Sequence, residues 1–166
     1  MIAVLISIRP KWCEKIISGE KTIEVRKTRP KLIPQFKCYI YCTLPKYPHE
    51  DFIATDYPRP QFYGGGKVIG EFTCNRVTNL FSNSRFWLDE DDVLHTCLSV
   101  AEMRKYANGA NGLYGWHISN LKIYDTPRDL WEFACLQRET EFGLAPRPIT
   151  RPPQSWRYVE EELWND

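Results

Sequence analysis

The first 26 residues contain the pattern that most restricts the possible folds of this chain: a strand, a helix, a glycine and a second strand in close succession. The continuous apolar run "AVLISI" (3–8) predicts a strand buried on both faces. Pro10 suits the first turn of a helix, and "KWCEKIIS" continues with apolar residues at helical spacing. Gly19 follows, and a glycine there commonly takes the left-handed conformation that ends a helix. We therefore expect the chain to reverse at Gly19 and to enter a strand just after Lys21.

The remaining chain is rich in strands and has few helices. Two segments with alternating β-branched and aromatic residues predict strands with no crossover helix between them, which argues against a fully parallel sheet. Ser99 and Glu102 have capping-box spacing and predict a short helix over 99–106. The predicted strands are "FKCYIYCT" (36–43), "KVIGEFTCNRVTNL" (67–80), a kinked "GLYGWHISNLKIYD" (112–125) and "SWRYVE" (155–160), and "TPRDLWEFA" (126–134) predicts another helix.

This order of elements predicts an α+β fold, a small mixed β-barrel of about five to six strands with two to three short helices. A chain of 166 residues can fill one core comfortably, so we expect a single domain over 1–166. Residues 44–66, rich in Pro and Tyr, are predicted to form an inserted loop, and the Pro-rich segment 146–153 is predicted to run extended across the surface.

Composition limits the environment and the cofactors. No segment approaches the roughly 20 apolar residues of a membrane span, and the apolar start lacks the cleavage pattern of a secretion signal. We therefore expect a cytoplasmic protein, with no membrane partner, whose six cysteines are free thiols. Cys38 and Cys42 resemble half of a zinc site that His95 and Cys97 could complete, but alternation along a strand explains the first two more simply as core. No metal and no cofactor are expected.

Charge is distributed unevenly along the chain. The net charge is only +1, which argues against coating of nucleic acid by bulk electrostatics. Residues 1–40, however, hold nine Lys and Arg against three Glu. If this segment folds onto one face it can meet phosphate locally. Solvated surface charge explains the same pattern equally well.

Three charged residues lie close together after Gly19. Glu24 and Arg26 have the spacing that puts side chains on one strand face, and Lys21 lies where the chain leaves the glycine turn. The run "GEKTIEVR" (19–26) resembles the G-x-K-x-x-E-x-R hallmark of the ASCH family, a branch of the PUA-like barrels. The segments "GKVIGEF" (66–72) and "LYGWHISN" (113–120) resemble the fourth and fifth strands of that family.

The resemblance implies a PUA-like barrel with a cleft between the first helix, the hallmark strand and the later strands. Relatives in this family are implicated in binding RNA or other nucleic acid, and one branch deacetylates a modified cytidine nucleoside. The expected partner is therefore RNA, a nucleotide or a modified nucleoside. The oligomeric state is not indicated by the sequence.

The hallmark residues have the chemistry that such a ligand needs. Lys21 could donate to a phosphate or a base carbonyl, and the planar guanidinium of Arg26 suits phosphate oxygens or a guanine edge. Glu24 could accept from an exocyclic amine such as that of cytosine, or it could simply neutralise its two neighbours in a structural ion cluster. Further candidates are Arg9 and Lys11 as phosphate contacts, and Trp12, Tyr114, Trp116 and Trp156 as stacking surfaces, although aromatic residues on barrel strands are more often core.

Two other function classes stay open. A small amidohydrolase acting on an acylated nucleoside, such as N4-acetylcytidine, could use Lys21 and Glu24 as catalytic groups. The deacetylating branch resembles this chain at Lys21, but it has a threonine where Glu24 stands and a glutamate near the position of Thr96. A protein-interaction module that uses the Pro-rich segment is the third possibility.

Overall fold

The computed structural model describes residues 1–44, 52–53, 62–63, 65–82, 85–86, 89–136 and 147–161. Eleven strands and three α-helices lie in these ranges. The strands are β1 (Ile2–Ile8), β2 (Ile23–Arg26), β3 (Phe36–Cys42), β4 (Phe52–Ile53), β5 (Phe62–Tyr63), β6 (Lys67–Ser82), β7 (Arg85–Phe86), β8 (Gly112–Arg128), β9 (Ala134–Cys135), β10 (Arg147–Pro148) and β11 (Trp156–Glu160). The helices are α1 (Pro10–Ile17), α2 (Glu90–Thr96) and α3 (Val100–Ala107).

Most of these strands belong to one mixed sheet. Its order is β10-β9-β11-β1-β3-β6-β8-β2, with β7 added beside β6, while β4 and β5 pair only with each other. β1 and β3 run parallel because α1 and β2 lie between them, and the other pairs are antiparallel. Six of the described strands have at least four residues, which agrees with the five to six that the sequence predicts. The fold is α+β, and the sheet is barrel-like without being closed.

The opening unit forms as predicted. Residues Ala3–Ile8 of β1 are all buried, and α1 begins at Pro10. Gly19 has a φ of +80°, the left-handed conformation that lets the chain turn back after α1. The backbone N–H of Lys21 then donates to the Lys15 carbonyl at 2.9 Å, which fixes the start of the following strand.

The main core lies between α1 and the sheet. Cys38, Ile40 and Cys42 share the inner face of β3 and are completely buried there, as the alternation predicts. They pack with Ile6 of β1 and Cys13 of α1 in one apolar cluster. The interpretation of Cys38 and Cys42 as core residues is therefore confirmed.

One predicted helix is wrong and another helix was missed. Over 126–134 the chain continues β8 as far as Arg128, which lies opposite Val68, and then makes a single 3-10 turn over 130–132. Pairing with β6 overrides the helical signal of the Thr-Pro start. The unpredicted helix is α2, where the Asp89 side chain accepts from the Asp91 N–H at 3.0 Å. An N-cap residue followed by an acidic first turn was the signal for this helix.

Two predictions concern less regular segments. The inserted loop over 44–66 lies largely outside the described residues, and the single-domain prediction stays a prediction. Most of residues 147–153 are exposed, but the segment is anchored at two points: Ile149 is buried in a second apolar cluster, and the Pro153 carbonyl accepts from the Ser7 hydroxyl at 2.6 Å. The Pro-rich segment thus lies at the surface and is held to the fold at Ile149 and Pro153. Among the described residues, no helix is long and apolar enough to cross a membrane.

Candidate functional site

The sheet has an open seam at β2. This strand pairs with β8 along one edge, and no other described strand pairs with its free edge. Across the seam lie the end of β1 and the residues just before β11, where the Ser7 N–H donates to the Ser155 carbonyl at 2.9 Å. Side chains of β2 are therefore the groups that can connect the two sides.

Arg26 makes this connection. One terminal nitrogen, Nη2, donates to the Ser7 carbonyl at 2.7 Å, and the other, Nη1, lies 3.3 Å from the Ser155 hydroxyl and 3.4 Å from its carbonyl. The same Nη2 is 2.9 Å from a carboxylate oxygen of Glu24. Both side chains are more than 90% buried. The guanidinium thus joins β2 to β1 and to the β11 approach where backbone pairing is absent.

Glu24 also faces Lys21, so the three hallmark side chains meet. The second carboxylate oxygen of Glu24 lies 3.4 Å from Lys21 Nζ. The ammonium donates further to the carbonyls of Ile23, at 2.9 Å, and Thr96, at 2.7 Å. We call Lys21, Glu24 and Arg26 the hallmark triad. In this triad the Glu24 carboxylate pairs with both cations, and Lys21 connects the end of α2 to β2 by donating to a carbonyl of each.

A cavity of about 390 Å³ opens beside the hallmark triad. Ligand sites in proteins typically have volumes of roughly 300–1,000 Å³, so this one is large enough for a single small ligand. It lies at the seam between β1, β2 and the β11 approach. Its lining residues are Ser7, Ile8, Arg9, Trp12, Lys21, Glu24, Val25, Arg26, Thr43, Leu98, Tyr106 and Gln154.

Among the described residues, Arg9 is the cation of this lining whose side chain has no protein partner. It precedes α1, is exposed, and its guanidinium has no hydrogen-bond or ion-pair partner among the residues that the structure describes. Trp12, one turn further along α1, is half-buried, and Lys21 Nζ lies 5.1 Å from the centre of its ring. Arg9 and Trp12 therefore lie in the cavity lining, as expected of ligand contacts.

Tyr106 of α3 is a cavity residue that sequence reasoning missed. The residue is 39% exposed, and it lies close enough to Arg9, Glu24 and Arg26 for their charges to change the pKa of its phenol. Burial raises the pKa of the Tyr106 phenol, Arg26 and Arg9 lower it, and Glu24 raises it. The phenol is therefore a neutral donor beside the hallmark triad at physiological pH. Helical spacing places Tyr106 on α3, but nothing local in the sequence places α3 against β2.

Four other candidates lie outside the cavity lining, namely Lys11, Tyr114, Trp116 and Trp156, which corrects the expectation that the last three provide aromatic lining. Trp116 is fully buried and packs edge-on against Phe36 and Trp156, because its face of β8 points into the core. Tyr114 packs at the edge of the same core cluster. Lys11 is exposed and its Nζ lies 4.8 Å from the centre of the Trp12 ring, next to the cavity but not in its wall.

The groups considered for catalysis and for metal binding are also placed. Thr96 lies beside Lys21, but it contributes a backbone carbonyl there, and its hydroxyl donates to the Val93 carbonyl at 2.7 Å. In the part of the chain that the structure describes, no three His, Cys, Asp or Glu residues form a group that could hold a metal ion. The histidine of β8, His117, contacts Arg76 and Thr78, and burial lowers its pKa.

Comparison with known proteins identifies the fold. No protein-family model matches the chain, and no curated protein matches it. The chain is similar to the crystal structure of ASCH from Zymomonas mobilis, with 18% sequence identity and a TM-score of 0.55, over 96% of this chain and 88% of that one.

Two variants of the Zymomonas mobilis protein give the same result. The structure with a tyrosine replaced by phenylalanine has 18% identity and a TM-score of 0.59, over 96% of this chain and 91% of that one. The structure with a serine replaced by alanine has 18% identity and a TM-score of 0.58, over 96% and 89%. The chain therefore has the fold of an ASCH protein, which confirms the fold that the hallmark run predicts.

Proposed function

We propose that this chain, which has the ASCH fold, binds RNA by taking one nucleotide of it into the cavity beside the hallmark triad. Arg9 contacts the phosphate at the cavity mouth, and Lys11 contacts a neighbouring phosphate outside it. Trp12 and Tyr106 provide aromatic surface for the base. The protein acts in the cytoplasm, where its six thiols stay reduced.

The observation that carries this proposal is that the Arg9 guanidinium, which has no partner among the described residues, lines a cavity that also contains two aromatic rings. Arginine offers a planar set of donors that matches phosphate oxygens. The described lining holds three cationic side chains and one carboxylate, so it favours an anionic ligand. Stacking of a base on an aromatic ring typically contributes about 1–3 kcal/mol. Phosphate contact and stacking together suit a nucleotide unit.

The geometry favours binding over catalysis by Lys21. A nucleophilic lysine must present a free lone pair. Here two backbone carbonyls and the Glu24 carboxylate surround the ammonium. These contacts give Lys21 a positioning role, because it holds Glu24 and the end of α2 in place.

The test is binding of a short single-stranded RNA to the full chain, measured by fluorescence anisotropy over a range of salt concentrations. Arg9→Ala should weaken binding about tenfold and reduce the slope of log K against log salt by about one, since one phosphate contact is lost. Arg147→Ala removes an equally exposed arginine on β10, away from the cavity, and serves as the matched control. It should leave both quantities nearly unchanged.

Two results would contradict the proposal. If RNA does not bind to the unaltered protein, nucleic-acid binding by this cavity is wrong. If Arg9→Ala and Arg147→Ala weaken binding equally, the contact is diffuse surface electrostatics and the cavity is not the site. Hydrolysis of N4-acetylcytidine that disappears in Lys21→Ala would instead support the amidohydrolase.

A further inference from the structure

The hallmark triad offers a ligand far more acceptor capacity than donor capacity. This difference follows from where the hydrogen-bonding groups of its two cations already point. An ammonium has three N–H groups and a guanidinium has five. In the hallmark triad nearly all of these have protein acceptors.

Most of the donor capacity of Lys21 is used within the protein. Two carbonyl oxygens accept from its Nζ, and the Glu24 carboxylate forms an ion pair with it at 3.4 Å. Moving the ammonium toward a ligand would leave buried acceptors unpaired, which is costly. A ligand in the cavity therefore cannot rely on Lys21 as its main donor.

The donors of Arg26 are also used within the protein. Its Nη2 donates to the Ser7 carbonyl and pairs with the Glu24 carboxylate, and its Nη1 donates to Ser155. The remaining N–H, on Nε, is buried and has no partner among the described residues. Because that atom is covered by protein, a ligand in the cavity cannot reach it.

Glu24 has the opposite character. A carboxylate has about four lone-pair positions, and each of its oxygens here has one cationic partner. One acceptor position per oxygen therefore remains, and Glu24 lies in the cavity wall. The two oxygens of one carboxylate are spaced to accept from two adjacent N–H groups of a flat ligand.

We infer that the cavity selects a nucleotide whose base presents two neighbouring N–H donors to Glu24, which among the common bases is guanine through its N1–H and its N2 amino group. This inference rests on the proposed function and names the base that the same site prefers. Cytosine and adenine offer a single amino group on that edge, and uracil offers one N–H between two carbonyl oxygens that would face the carboxylate. Trp12 and Tyr106 remain the aromatic surface for this base, and Arg9 the phosphate contact.

The test compares mononucleotides with the unaltered full chain by isothermal titration calorimetry. Guanosine monophosphate should bind about tenfold more tightly than inosine monophosphate, which differs only in lacking the N2 amino group. It should bind at least about a hundredfold more tightly than uridine monophosphate, because one hydrogen bond is lost and carbonyl oxygens meet the carboxylate. Glu24→Gln, which replaces one acceptor oxygen by an amide donor, should remove most of the preference for guanosine over inosine monophosphate.

The outcomes separate the inference from the proposed function. Equal affinity for all three nucleotides, or tighter uridine binding, overturns the inference and leaves nucleotide binding intact. Absence of binding by every nucleotide overturns both. The inosine comparison requires no variant, so it decides the inference even if Glu24→Gln fails to fold. If the Glu24→Gln protein is folded, as shown by a cooperative unfolding transition like that of the unaltered protein, and still keeps the full preference for guanosine over inosine monophosphate, the role of Glu24 is contradicted.

Discussion

Arg26 illustrates at the scale of one residue how a side chain replaces missing strand pairing. Its guanidinium reaches the Ser7 carbonyl, Ser155 and Glu24 across the seam of the sheet. A buried ion pair is weak evidence for stability in itself, because desolvation offsets much of the attraction. Removing one partner is different, since buried acceptors and a buried carboxylate are then left without their donor.

We expect Arg26→Lys to lower the free energy of unfolding by about 3 kcal/mol. A lysine ammonium is a compact point charge that cannot span all three acceptors. Urea denaturation monitored by tryptophan fluorescence measures this loss.

The matched control for Arg26→Lys is Arg29→Lys. Arg29 is exposed and lies over the ring of Tyr114, so its replacement should change stability by less than about 0.5 kcal/mol. Equal stabilities for the two variants would mean that water can substitute for the guanidinium at the seam.

At the scale of elements, α1 and the turn after it determine where β2 starts. Gly19 adopts a φ of +80°, and a side chain added there would contact nothing within 4 Å. The position therefore requires glycine for conformational reasons and not for space. Since Lys21 follows two residues later, the same turn delivers the first residue of the hallmark triad.

Gly19→Ala should destabilise the protein by about 1 kcal/mol, because a left-handed conformation is costly for residues with a Cβ. Gly19→Asn should cost clearly less, since asparagine adopts this conformation more readily. Chemical denaturation of both variants tests the difference. If alanine and asparagine are equally destabilising, the conformation of Gly19 is not the cause.

At the scale of the whole molecule, the core that supports the site contains four buried cysteines. Cys13, Cys38, Cys42 and Cys74 belong to one apolar cluster and are completely buried. Burial raises the pKa of Cys13 and Cys38 well above the usual value and that of Cys74 to about 12. In the unfolded chain the thiols of Cys13, Cys38 and Cys74 lose their protons near the ordinary pKa of about 8.5.

The protein should therefore lose stability as the pH rises above about 9. The stabilisation from protonated buried thiols is complete below the unfolded pKa and decreases toward the folded one, which for Cys74 is about 12. Each such thiol contributes a slope of up to about 1.4 kcal/mol per pH unit.

Urea denaturation at a series of alkaline pH values measures this slope. Compared with the unaltered protein, Cys74→Ala should reduce the slope of the free energy of unfolding against pH by the contribution of one thiol, up to about 1.4 kcal/mol per pH unit. An unchanged slope in Cys74→Ala would contradict the burial argument for that residue.

The sequence alone determined the local units of this protein. Alternation predicted the buried face of β3, and Ser99 with Glu102 predicted α3, whose capping box is present in the structure. The hallmark run predicted the fold, and the spacing of Glu24 and Arg26 put two of its charges on one strand face. These properties depend on residues only a few positions apart, so short-range sterics and hydrogen bonding fix them.

Only the tertiary structure decided which distant residues share the cavity. It buried Trp116, brought Tyr106 of α3 against β2, and anchored the Pro-rich segment beside the seam through Pro153. It also committed Lys21 and Arg26 to internal acceptors while giving the Arg9 side chain no partner among the described residues. The physical reason is that burial and hydrogen-bond partners are set by how the sheet and helices pack around one another, and local pattern does not contain that information.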